Sequence, residues 1–140
     1  MNDSLYQQAI KKLAQSAHGA GRLTQPTVSI RLDNALCGDR IVLDLQIENG
    51  VITEVAHETK GCMLCTASAS LLAREALGKS SADLGGGLIE LEALLGSNST
   101  PSAHWSELSI FVPVRMHKSR YGCVLLPFRA LCQAIGKVGL

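Results

Sequence analysis

An alternating segment and the dipeptide after it constrain the fold of this chain most. Residues 40–48 place large apolar side chains at every second position, at Ile41, Leu43, Leu45 and Ile47. A period of two over this length predicts a strand with one buried face. Asn49-Gly50 follows, and residues 51–59 then return as a second strand-like run. Because Asn-Gly is a strong signal for a two-residue turn, the sequence predicts a β-hairpin here.

One further strand and several helices complete the predicted elements. Residues 27–33 contain β-branched residues and predict a strand that extends the hairpin into an antiparallel meander. Helical spacing and glycine stops predict helices over residues 4–17, 65–77, 88–95 and 122–135. Residues 108–114 are apolar and β-branched but contain Pro113, which favours a brief extended stretch. We therefore predict an α+β fold in one domain, residues 1–140, with a small three-stranded antiparallel sheet and helices packed on one face.

Composition excludes several classes of function. The formal net charge is +1, so the chain lacks the basic field that binding to nucleic acid or an anionic membrane requires. The first twenty residues contain no apolar stretch of the signal-peptide type, and no apolar run approaches the length of a membrane span. We therefore expect a cytoplasmic protein with no nucleic-acid or membrane partner. In that compartment the five cysteines are expected as thiols or metal ligands rather than disulfides.

Three of the five cysteines lie at predicted junctions between loops and regular elements. Cys37 precedes the long strand, Cys62 follows the hairpin where a helix begins, and Cys123 lies near the start of the last helix. Helix N-termini stabilise thiolates, and Asp39 adds a harder and weaker ligand beside the thiols. This set predicts a labile metal or sulfur site. Cys132 is expected instead to fill the core from the inner face of the last helix.

The same residues resemble a known family of proteins. The motif Cys37–Arg40, the sequence Lys60–Cys62 and the Ala/Ser-rich Thr66–Ser70 resemble the IscU/SufU/NifU N-terminal type of iron–sulfur cluster assembly scaffold. The resemblance implies a transient [2Fe–2S] cluster or zinc, held by three cysteines plus an aspartate or histidine. Cys37, Asp39 and Cys62 match the family's ligands directly. The resemblance further implies a cysteine desulfurase as sulfur donor, and apo iron–sulfur proteins or carrier proteins as acceptors.

The third cysteine of that pattern can be aligned in two registers. Counting forward from Val112-Pro113-Val114 places the family's cysteine on Lys118, whereas counting backward from the last helix places it on Cys123. We favour Cys123, because a surface loop absorbs an insertion, whereas a five-residue shift would rotate the buried face of a helix. His117 is the alternative ligand, since some relatives place a histidine immediately before this cysteine.

Two positions depart from the family pattern near the predicted ligands. Ala35 stands where proline is usual, which loosens the turn before Cys37. Cys65 forms a Cys-x-x-Cys pair with Cys62 where serine is usual, so it is either a small helix residue or an additional ligand or sulfur relay. The remaining histidines have no partner at ligand spacing and are expected at the surface, namely His18, His57 and His104.

Three functions remain open at this point. The first is a non-enzymatic scaffold that binds a nascent cluster on Cys37, Asp39, Cys62 and Cys123. The second is a zinc-dependent sulfurtransferase, in which one thiolate leaves the metal and accepts persulfide sulfur. The third is a closed structural zinc site, against which the aspartate argues. A phosphate-binding loop is excluded, because the glycines at 85–87 lack the following Lys-Ser/Thr.

Overall fold

The computed structural model describes residues 3–36, 38–97 and 99–138 of the chain. Its three strands form one antiparallel sheet in the order β1-β2-β3. The elements are α1 (Asp3–Ser16), β1 (Val28–Asn34), β2 (Asp39–Glu48), β3 (Val51–Lys60), α2 (Met63–Ala76), α3 (Ser81–Leu84), α4 (Gly87–Gly96) and α5 (Tyr121–Lys137). These strands and helices confirm the predicted α+β class.

The hairpin forms where the sequence predicts it. Asn49 and Gly50 both have positive φ, 55° and 76°, as a type I′ turn requires. The alternating side chains of β2 supply the centre of the core, since Ile41, Leu43 and Leu45 are completely buried. The period-two pattern therefore identified the correct strand and its buried face.

Helices α2 and α5 cover the sheet. Helix α2 contacts α1, α5 and β3, and α5 contacts β1 and β2. Nine residues of α2 are buried, and alanine and serine make up most of them. Small side chains allow the neighbouring elements to approach this helix closely, which compensates for the shortage of aromatic residues in the core.

The segment before α5 differs from the prediction. Residues Ala103–Met116 form 3₁₀-helical turns, with a non-helical residue at Trp105, rather than an extended stretch. The buried side chains recur every third residue, at Trp105, Leu108, Phe111 and Val114. Because a 3₁₀ helix has three residues per turn, this spacing places them on one face. A second short 3₁₀ turn, Lys118–Arg120, leads into α5. The short helix α3 was also not predicted; Ser80 caps it by accepting a hydrogen bond from the Asp83 N–H.

Two predicted exposures were wrong. Cys132 is exposed, because α5 turns Leu131, Ala134 and Ile135 towards the core instead. His57 is buried, because the chain between α1 and β1 lies over it. His104 is exposed as predicted, and His18 is half-buried. Among the described helices, none combines the length and apolar character needed to cross a membrane.

Candidate metal centre

Three predicted site residues converge at one end of the sheet. The carboxylate of Asp39 and the thiols of Cys62 and Cys123 offer ligand atoms that all lie within 4.8 Å of one another. They come from the start of β2, the residue before α2 and the first turn of α5. Residues from three separate elements thus present two sulfur atoms and one carboxylate oxygen to a common point.

Strand pairing explains why Asp39 and Cys62 are neighbours. Arg40 at the start of β2 pairs with Lys60 at the end of β3, so the residues just beyond this pair also lie side by side. Asp39 Oδ1 accepts a hydrogen bond of 3.0 Å from the Cys62 N–H. Gly61 permits this approach, because a Cβ at that position would collide with the Asp39 carboxylate. The glycine before Cys62 is therefore needed for space at the site.

Only one oxygen of the Asp39 carboxylate accepts a hydrogen bond from a described residue. Asp39 is only 2% exposed. Its Oδ2 is buried and has no hydrogen-bond partner in the described part of the chain. An unpaired buried carboxylate oxygen is costly, so an arrangement that retains one is expected to supply it with a cation or donor. The donor set of two thiols and one carboxylate oxygen fits zinc and iron.

Both cysteines lie at the N-terminus of a helix. Cys62 is the N-cap residue of α2, and its side chain makes no capping hydrogen bond. Cys123 is the third residue of α5 and is completely buried. The first turns of α2 and α5, both fully described, contain no acidic residue. The partial positive charge of each helix N-terminus therefore lies near one of the two sulfur atoms and would favour the negative charge of a metal-bound sulfur.

A cavity of about 630 Å³ opens onto the three ligand residues. Two cationic side chains, Lys60 and Arg120, contribute to its wall. The full lining consists of Leu36, Gly38, Asp39, Lys60, Gly61, Cys62, Ser119, Arg120 and Cys123. The site is thus accessible from outside, as exchange of a bound metal or a sulfur atom requires.

The other predicted ligands lie outside this group or outside the described residues. Cys37 falls outside the described residues, although its neighbours Leu36 and Gly38 line the cavity. His117 lines a second cavity, of about 800 Å³, which also reaches Cys62. As far as the described residues go, the group of three includes neither His117 nor Lys118. The helix register is therefore the one that brings its cysteine, Cys123, to Asp39 and Cys62.

Cys65 is not part of the converging group. It lies inside α2, one turn beyond Cys62, and is completely inaccessible to solvent. The three ligand residues that converge do not include it. Its position agrees with a small residue of the helix core; a role as ligand or relay stays a prediction.

Sequence reasoning missed one residue beside the site. Asn34, the last residue of β1, accepts a hydrogen bond of 3.3 Å from the Leu36 N–H through its side-chain Oδ1. An asparagine at the end of a strand is a recognised turn signal, which could have identified this contact. The position of its amide nitrogen against α5 has no such signal, because it depends on tertiary packing.

Comparison with known proteins identifies relatives along nearly the whole chain. The family model for the NifU-like N-terminal domain matches residues 5–121. The iron–sulfur cluster assembly scaffold protein IscU of Thermotoga maritima is 27% identical over 134 residues, which cover 96% of this chain and 94% of the relative. The zinc-dependent sulfurtransferase SufU of Bacillus subtilis is 26% identical over 136 residues, covering 96% and 92%.

Solved structures give the same result at the level of the fold. The N-terminal NifU-like protein from Brucella abortus superimposes with a TM-score of 0.90 at 30% identity, over 97% of this chain and 95% of that one. A SufU from Fervidobacterium islandicum, described as a putative assembly scaffold, has a TM-score of 0.87 at 20% identity, covering 96% and 99%. The sequence motifs, the fold and the family match agree, and the chain belongs to the NifU-like N-terminal domain family.

Proposed function

We propose that this chain is an iron–sulfur cluster assembly scaffold. In this function Cys37, Asp39, Cys62 and Cys123 hold a nascent [2Fe–2S] cluster, or a zinc ion, as cargo. A cysteine desulfurase supplies the sulfur, and apo iron–sulfur proteins or carrier proteins receive the completed cluster. The scaffold function is also that of the relatives named IscU, which align with nearly the full length of the chain.

The main support for this proposal is the buried Oδ2 of Asp39, which has no hydrogen-bond partner among the described residues. Oδ1 is held by the Cys62 N–H, so the carboxylate is fixed in orientation before any metal arrives. Oδ2 remains as a buried acceptor with no hydrogen-bond partner among the described residues. One oxygen of this carboxylate lies within 4.8 Å of both thiol sulfurs. This geometry supports one carboxylate oxygen and two thiolates as part of a ligand set.

The mixed ligand set suits a cluster that is passed on. Iron in a sulfur shell holds a carboxylate oxygen less firmly than another thiolate, so Asp39 is the ligand expected to leave first. Lys60 and Arg120 line the same cavity and oppose the negative charge that thiolates and a carboxylate bring to a loaded site. The two cationic side chains thus favour binding of the cluster, and the weak carboxylate ligand favours its release.

A sulfurtransferase is the second candidate, and the similarity to SufU of Bacillus subtilis favours it. Here a thiolate of the site attacks the outer sulfur of a persulfide on the desulfurase. A new S–S bond forms on this chain as the original S–S bond breaks, and the desulfurase cysteine leaves as a thiolate. No net oxidation occurs. Bound zinc would keep the cysteine sulfurs of the site deprotonated until the persulfide donor binds.

Anaerobic reconstitution separates the two candidates. The purified chain is incubated with iron, cysteine and a cysteine desulfurase, and then followed by visible absorbance, metal analysis and mass spectrometry. A [2Fe–2S] chromophore that transfers to an apo-ferredoxin supports the scaffold. Retained zinc with an added mass of one sulfur atom supports the sulfurtransferase. If Cys123→Ser behaved like Cys132→Ser, in which only an exposed cysteine changes, the proposed ligand set would be wrong.

A further inference from the structure

Asn34 lies beside two parts of the candidate site, the start of β2 and the first turn of α5. It is the last residue of β1 and the register partner of Asp39 on β2. Its carboxamide also lies against the second residue of α5, Gly122, directly before Cys123. One side chain therefore contacts Leu36 after β1 and the helix that supplies Cys123.

The two oxygen atoms of Asn34 accept hydrogen bonds from Leu36 and Gly38. Oδ1 accepts a hydrogen bond of 3.3 Å from the Leu36 N–H. The main-chain oxygen of Asn34 accepts one of 2.8 Å from the Gly38 N–H. The bond from Leu36 also fixes the orientation of the amide, because Oδ1 must face the Leu36 N–H and Nδ2 must face away from it.

The amide nitrogen has no comparable partner. Nδ2 is buried and makes no hydrogen bond to any described residue. A Cβ built on Gly122 would lie 2.7 Å from Nδ2, so only glycine leaves room for the amide at this point. A buried donor without an acceptor is unfavourable, and such groups in native proteins usually serve a ligand or a water.

We infer that Asn34 is a positioning residue whose Nδ2 donates a hydrogen bond to a sulfur atom of the metal-loaded site. The inference rests on the proposed function, since metal binding creates the anionic sulfur acceptor. Asp39 Oδ2 and Asn34 Nδ2 are then complementary: the buried acceptor binds the metal and the buried donor binds its sulfur shell. Hydrogen bonds to ligand sulfur withdraw electron density and stabilise bound metal.

Cobalt(II) and zinc loading of the full-length chain test this inference without any activity assay. In Asn34→Ser the hydroxyl can still cap the Leu36 N–H, but it is too short to replace Nδ2. In Asn34→Asp the acceptor and shape are kept and both N–H donors are lost. We expect both variants to shift the sulfur-to-cobalt charge-transfer band to longer wavelength and to release zinc to a chromophoric chelator about tenfold faster. Gly122→Ala, which displaces the amide, should produce the same changes.

Each result has a definite meaning. Wild-type absorption and zinc release in Asn34→Asp would overturn the inference, because that variant has no amide donor. A change confined to Asn34→Ser would overturn it too, since it would reflect the turn alone. If the unmodified chain bound neither cobalt nor zinc, both the inference and the proposed function would be wrong. If that chain bound metal and the variants matched it, only the role of Asn34 would fail.

Discussion

Asp39 combines a structural and a chemical task in one side chain. Its Oδ1 satisfies the Cys62 N–H, while its buried Oδ2 remains for a metal. The two tasks can be separated by substitution. Asparagine keeps an oxygen for the Cys62 N–H but removes the negative charge, whereas alanine removes both functions.

We predict that Asp39→Ala and Asp39→Asn both transfer a bound cluster more slowly. The carboxylate is the weakest ligand of the set, so a site without it is expected to lose its route for release. Transfer to an apo-ferredoxin, followed by circular dichroism, measures this rate. Asp39→Ala should also be less stable to urea by about 0.5–1.5 kcal/mol, because the part-buried Cys62 N–H loses its acceptor. Transfer by both variants at the rate of the unmodified chain, or faster, would argue against this role.

At the level of elements, the N-terminus of α2 separates two cysteines that the sequence presents as a pair. Cys62 is the half-buried N-cap residue, and Cys65 is fully buried within the helix. The pair is three residues apart, which placed both on one side of a predicted helix. In the structure the helix begins at Met63, so Cys62 precedes the helix and Cys65 lies inside it.

Matched serine variants test this difference. Cys62→Ser should abolish zinc binding, because a neutral hydroxyl does not replace a thiolate. Cys65→Ser should retain one zinc per chain but lose about 1–2 kcal/mol of stability through the buried hydroxyl. Metal analysis and urea unfolding measure the two effects. Equal loss of zinc in the two variants would instead indicate a Cys-x-x-Cys chelate.

The chain between α1 and β1 is fastened to the sheet through His57. The His57 ring lies 2.8 Å from the His18 carbonyl through Nε2 and 2.8 Å from Thr59 Oγ1 through Nδ1. Its main chain also bonds to Gly19 and Gly21. Burial lowers the pKa of His57 below its usual value, and the hydrogen bond to His18 opposes this only in part. The folded protein therefore favours the neutral ring.

Stability should consequently fall as the pH decreases. Above the unfolded pKa of about 6.5 the ring is neutral in both states, and below it the unfolded chain takes up the proton more readily. One such group changes the free energy of unfolding by at most about 1.4 kcal/mol per pH unit. Urea unfolding at pH 7.5 and 5.5 should show this loss, and His57→Gln should reduce it. His104→Gln, at an exposed position, serves as the control; an unchanged pH dependence in His57→Gln would contradict the assignment.

Asp44 does not contribute to the change in stability between pH 7.5 and 5.5. Burial alone would raise its pKa, but hydrogen bonds from Arg22, Ser29 and the Leu23 N–H together lower it. Its contribution to stability is therefore lost only in more acidic solution, as the pH falls below about 4. Asp44 therefore does not obscure the effect of His57 between pH 7.5 and 5.5.

Local patterns predicted the elements well and their surroundings less well. The period-two run and Asn49-Gly50 gave β2, β3 and their turn, because strand alternation and turn geometry are properties of neighbouring residues. The 3₁₀ turns of Ala103–Met116 were missed, because their spacing of three resembles neither a strand nor an α-helix. The burial of His57 was missed as well, since a segment distant in sequence covers it.

Across the whole molecule, the site depends on contacts that no single segment encodes. Asp39 and Cys62 could be brought together from the hairpin alone, because strand pairing places them side by side. The family resemblance left two registers for the third cysteine, and the buried face of the last helix favoured Cys123. The approach of Cys123 to the other two residues depends on the packing of α5 against β1 and β2. That the chain forms a single domain over residues 1–140 stays a prediction, as does the ligand role of Cys37.

Because the proposed ligands come from the sheet and two helices, metal binding should stabilise the entire fold. A metal that binds the folded chain alone adds RT ln(1 + [L]/Kd), about 2.7 kcal/mol at one hundred times Kd. For a chain of this size that corresponds to a rise in Tm of roughly 5–10 °C. Calorimetry with buffered zinc, and again after addition of a chelator, measures the rise and its reversal. Cys132→Ser, at an exposed site of α5, should keep it. Cys123→Ser should lose most of it, and the same rise in both variants would show that zinc binds elsewhere.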